Sequence, residues 1–90
     1  MKWVYGGKHN HAWNETWYVP HKYSVASVKN ELYYCILYII NNNDIRFLTK
    51  NLRISDITIF SNRPPDDCQF ATKEEAIAIC ERHQRLIILQ

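Results

Sequence analysis

The sequence predicts an α+β fold, a small and mainly antiparallel β-sheet of about five to six strands with one C-terminal helix packed on a face. Three observations predict it. Short runs of aromatic and β-branched residues fill the first two thirds of the chain. Compact turn-forming clusters separate them: Gly6-Gly7, Asn41-Asn42-Asn43-Asp44 and Pro64-Pro65-Asp66-Asp67. A single strong helix-start signal follows at Thr72. With 90 residues and no linker-like stretch, the chain reads as one domain over residues 1–90.

Trp3-Val4-Tyr5 and Thr16-Trp17-Tyr18-Val19 read as a hairpin across a Gly6–Asn14 loop. Tyr23, Val25 and Val28 mark a third strand. The run Leu32–Ile40 fits two descriptions. Val25, Val28, Leu32, Ile36 and Ile39 fall at helical spacing, with Ser24 or Ser27 as a cap. Against a helix, three tyrosines and three isoleucines in nine residues would lose side-chain freedom there, yet pack well on a pleated surface. A strand apolar on both faces suits the middle of a covered sheet, so strand is preferred. Ile45-Arg46-Phe47-Leu48 returns after the Asn turn, and Ile54 with Ile57-Thr58-Ile59-Phe60 supplies another strand.

At Thr72-Lys73-Glu74-Glu75 the hydroxyl of Thr72 is placed to accept from the Glu75 amide, and the Glu75 carboxylate to reach back. Two acids in the first turn and Arg82 and Arg85 near the end complement the helix dipole. Leu86-Ile87-Ile88-Leu89 then reads as an edge strand, through which two copies of the chain could pair.

Composition narrows function. Hydrophobic residues make up 47% and charged residues 22%, which excludes disorder. The longest apolar run, nine residues, is far short of the ~20 of a membrane helix. The N-terminus lacks the apolar segment of a signal peptide, and the expected location is the cytoplasm. A net charge of +2 is small for a nucleic-acid binder, but it is unevenly spread. Lys2, Lys8, Lys22 and Lys29 face only Glu15 in residues 1–30, whereas acids outnumber bases from Arg63 onward. Such polarity steers a charged partner.

Cys35, Cys68 and Cys80 are an odd set in a chain without a secretion signal, so reduced structural thiols are expected rather than a Cys68–Cys80 disulfide. Cys80-x-x-His83 with Cys68 resembles part of a zinc site, but no second tight ligand pair completes it. His9-Asn10-His11 with His21 is a weak metal or proton-transfer signal. No phosphate-binding Gly loop or nucleophile elbow is present, no local motif selects a Cys–His nucleophile, and neither enzyme activity nor a cofactor is expected. Asp66-Asp67 and Glu74-Glu75 are explained by a turn and a helix start.

The N-terminal third carries the functional reading. Trp3, Tyr5, Trp13, Trp17, Tyr18 and Tyr23 are half of the twelve aromatics, interleaved with Lys2, Lys8, His9, His11, His21 and Lys22. Some of these rings are needed simply to fill the core of a small sheet. The remainder suit a protein-binding hot spot. The expected binding surface is Trp13, Trp17, Tyr18, Lys8, His11 and Lys22. Such a surface is expected of a small non-enzymatic inhibitor or accessory factor, of phage or mobile-element type, that blocks a host protein, including an enzyme that handles nucleic acid. The alternative is a single-stranded nucleic-acid-binding module that stacks bases on the same surface.

Overall fold

The computed structural model describes residues 1–8, 13–59 and 63–88. Six strands run in chain order as an antiparallel meander: β1 (Val4–Lys8), β2 (Trp13–Val19), β3 (Tyr23–Val28), β4 (Tyr34–Asn41), β5 (Asp44–Leu48) and β6 (Ile54–Thr58). One α-helix, α1 (Lys73–Ile88), packs across β3 and β4. The α+β architecture expected from the sequence is the one observed, and the contested segment is two strands joined by a turn rather than a helix.

The turns follow the chemistry of their residues. Pro20-His21 joins β2 to β3, with Lys22 N donating to Val19 O at 3.1 Å and His21 at φ 61°. Proline at the second turn position with positive φ at the third is the type II pattern. At the tip of the β4–β5 hairpin, Asn41 Oδ1 accepts from the Asn43 amide at 2.8 Å.

The sheet has two buried faces. On one, Tyr23, Val25, Ile36 and Leu48 pack with Phe70 and with Ala76, Ile79 and Cys80 of α1. On the other, Ala26, Val28, Cys35, Leu37 and Phe47 pack with Cys68, flanked by Trp13, Tyr33, Ile45 and Ile59. The alternation along β3 and β4 explains why the Leu32–Ile40 run is apolar without interruption. The segment before the helix serves both faces. Asp66–Cys68 makes a single 3-10 turn, Cys68 fills the second face, and Phe70 joins the first. Phe70 also exchanges two backbone hydrogen bonds with Tyr34, at 2.7 and 2.8 Å.

Two expectations are corrected. Gly6-Gly7 does not open a loop but makes a bulge within β1, which continues to Lys8. Gly7 takes φ 88°, and a Cβ on Gly6 would lie 2.3 Å from Thr16 Oγ1, so both positions require glycine. Leu86–Ile88 is the last turn of α1 and not an edge strand; Leu89 lies outside the described residues. No Gly or Pro interrupts 73–88, and each added helical residue gains a backbone hydrogen bond. The pairing of two copies through that segment therefore loses its basis, and the sheet edges are β1 and β6.

The helix start agrees with its sequence signal: Thr72 Oγ1 accepts from the Glu75 amide at 3.1 Å. No helix among the described residues is long and apolar enough to cross a membrane.

Candidate binding surface

On the helix-bearing face, three rings form a ladder across the first four strands. Tyr5 on β1 is the cross-strand partner of Trp17 on β2, and Trp17 of Val25 on β3. Tyr34 on β4 is paired with Ser27, two residues along β3 from Val25, so Trp17 and Tyr34 meet diagonally over small side chains. Ring centroids are 5.6 Å apart for Tyr5–Trp17 and 6.2 Å for Trp17–Tyr34, with planes tilted by 50° and 52°. Tyr5 is half exposed.

Charged groups border the ladder. The Lys73 ammonium, in the first turn of α1, lies 4.8 Å from the Trp17 ring centroid, a cation–π contact. Tyr5 donates its hydroxyl to Glu15 Oε2 at 2.7 Å, which pushes the phenol above its ordinary pKa because the neutral form is the one that donates. The Glu15 amide in turn donates to Ser27 Oγ at 3.1 Å. Beside Tyr34 a cleft of about 380 Å³ opens, bounded by Glu15, Ser27, Glu31 and Tyr33.

The structure distributes the sequence-predicted residues over several places. Trp17 is the centre of the ladder. Trp13 packs against the second core face, and Tyr18, paired with Ser24, points to that same side. A bulge between Trp13 and Thr16 puts Trp13 opposite Val28 and on the far side of the sheet from Trp17. Lys8 ends β1 beside Glu15, whereas Lys22 lies in the β2–β3 turn at the other end of β2. Both lysines are exposed. His11, with His9, lies outside the described residues. Tyr5, Tyr34, Glu15 and Lys73 are not among the sequence-predicted site residues, because their convergence requires the registers of β1 to β4 and the docking of α1.

A second cluster on the same face is sealed. Tyr23 Oη and His83 Nδ1 are 2.5 Å apart, and Tyr38 meets the His83 ring edge-on at 5.1 Å. Burial pushes the Tyr23 phenol up, with Cys80 and Tyr38 adding to it, and pushes the His83 imidazole down. A protonated phenol and a neutral imidazole are compatible when the Tyr23 hydroxyl donates to Nδ1, leaving the ring proton on Nε2.

The free thiols of Cys35, Cys68 and Cys80 are all buried, and burial raises each pKa, that of Cys68 to about 12 with help from Asp67. Cys68 is on the opposite side of the sheet from Cys80 and His83, so the imagined Cys68–Cys80–His83 grouping does not form. Among the described residues no three metal-ligating side chains gather. Comparisons with models of protein families, with curated proteins and with solved structures return no match.

Proposed function

We propose that this chain is a small protein-binding domain without catalytic activity, which seats a protein partner on the Tyr5–Trp17–Tyr34 ladder. Its mode of action is to block or bridge that partner, as an inhibitor or accessory factor of phage or mobile-element type does. The observation that carries the reading is the ladder itself, a row of partly exposed rings held in place by their neighbours and bordered by ionic groups. Aromatic anchors within a polar rim are the residues that dominate protein interfaces. Because the rings are already braced by each other and by Lys73, little side-chain entropy remains to be lost on binding.

Charge favours a protein over a nucleic acid. Glu15 bonds to Tyr5, and Glu74 and Glu75 lie exposed in the helix turn that delivers Lys73 to Trp17. Carboxylates so placed oppose phosphate. The exposed lysines Lys8 and Lys22, meanwhile, are split between the two ends of β2 rather than gathered around the rings.

The test is affinity capture of the tagged protein from its native cells, before and after nuclease, alongside Tyr5→Ala. A stoichiometric protein that survives nuclease and is lost with Tyr5→Ala supports the reading, with a loss of about 2 kcal/mol expected for a hot-spot ring. Recovery that collapses with nuclease would replace it by single-stranded nucleic-acid binding.

A further inference from the structure

The cleft beside Tyr34 has a chemistry of its own. Its wall combines two carboxylates, Glu15 and Glu31, a serine hydroxyl, Ser27, and two tyrosines, Tyr33 and Tyr34. Its volume of about 380 Å³ is ample for one long side chain. The cleft is continuous with the ladder, because Glu15 also receives the Tyr5 hydroxyl and Tyr34 is also the ladder's last ring. An exposed guanidinium from this same chain already rests on the rim. Arg63 forms an ion pair with Glu31 Oε1, and its Nη2 donates to the Tyr33 hydroxyl at 3.2 Å.

We propose that this cleft receives an arginine side chain of the protein partner, with Glu15 and Glu31 as its carboxylate acceptors and Tyr34 as the ring on which the guanidinium lies. The inference rests on the protein-binding reading and gives that partner a chemistry. A guanidinium is planar and weakly hydrated, presents five donors in a fork, and stacks on aromatic faces, so it suits a cleft of acceptors and tyrosines better than a compact ammonium does. Each carboxylate has about four lone-pair sites, so the bonds to Tyr5 and Arg63 leave capacity for a further donor. The contact of Arg63 with Glu31 and Tyr33 shows one of these two carboxylates engaging a guanidinium at the rim. With the ladder filling apolar contact and the cleft taking charge, an arginine beside an apolar or aromatic patch is the recognised feature.

The probe is N-acetyl-arginine methylamide, titrated into the full chain and followed by backbone amide NMR, with the uncharged citrulline analogue in parallel. The expected result is a saturable shift centred on Ser27, Glu31 and Tyr34 with a dissociation constant of roughly 1 mM, the scale for so small a ligand. Citrulline binds about tenfold more weakly, as do Glu15→Gln and Glu31→Gln with the arginine probe, each having lost one charge-assisted contact. Equal response to citrulline, shifts spread over Glu74, Glu75 and Glu81, or no saturation by about 20 mM would overturn the proposal. Capture separates the two claims. A partner lost with Tyr5→Ala but kept by both glutamine variants overturns the cleft alone, and a partner indifferent to Tyr5→Ala overturns the ladder.

Discussion

Tyr23, Tyr38 and His83 meet beneath the helix, whereas Tyr5, Trp17 and Tyr34 line up beside its N-terminal turn on the same face of the same sheet. Both groups consist of rings about 5–6 Å apart, tilted in the open group and partly edge-on in the sealed one, and both include a nitrogen-bearing helix side chain, His83 in one and Lys73 in the other. What differs is water. Tyr23 is fully buried and His83 nearly so, while Tyr5 is half exposed. In the sealed group, polar atoms are safe only because they bond each other, and the rings contribute stability. In the open group, the same ring chemistry leaves apolar surface in contact with solvent, where the partner proposed above would gain by covering it.

The largest effect that separates the two groups is on stability. Tyr23→Ala removes a fully buried ring and orphans His83, and is expected to cost about 3–5 kcal/mol in denaturant unfolding. Tyr5→Ala, at a half-exposed edge position, is expected to cost less than about 1 kcal/mol. Similar losses at both sites would show that Tyr5 is held as firmly in the fold as Tyr23.

Acid distinguishes them next. With its folded pKa below the ordinary 6.5 of an unfolded histidine, His83 stays neutral in the fold while the unfolded chain takes up a proton. Stability is therefore complete above pH ~6.5 and falls as pH drops from there through the folded value. The groups against the imidazole are Tyr23 and Tyr38. Tyr23, whose phenol burial pushes further up, supplies no negative charge at these pH values to offset protonation of the imidazole. In His83→Gln this part of the decline, measured between pH 7 and 5, disappears while the other histidines remain. An unchanged profile would show that His83 takes up its proton as readily in the fold as in the unfolded chain.

Much of this arrangement is legible in the sequence, and the part that is not has a physical cause. Turn residues and β-branched runs mark the strands, and Thr72 with Glu75 marks the helix start, because these signals are local. Which face a ring occupies is not local. Trp13 and Trp17 are four residues apart, which places them on one side of a regular strand, yet one bulge between Trp13 and Thr16 sends them to opposite sides. The end of the helix is hidden for a different reason: Leu86, Ile87 and Ile88 have strand-like side chains, but the helix before them continues at no nucleation cost. Tyr34 sits in a run of apolar residues whose register, not whose composition, brings it to Trp17.

The smallest expected effect sharpens the open group. Lys73→Met removes the charge over Trp17 while keeping a long side chain, and should cost about 0.5–1 kcal/mol of stability. That cost should vanish when Trp17 is already alanine, as a double-mutant cycle would reveal.

On the proposed function the ladder, and not the tryptophan content of the N-terminal third, makes the binding surface. Trp13→Ala and Trp17→Ala, compared in capture of the nuclease-resistant partner at a temperature where circular dichroism shows both folded, test it most directly. Trp17→Ala is expected to lose the partner, while Trp13→Ala, altered on the far face, is expected to retain it at reduced thermal stability. Loss with Trp13→Ala and retention with Trp17→Ala would place the interface on the other face of the sheet and overturn the ladder as the binding surface.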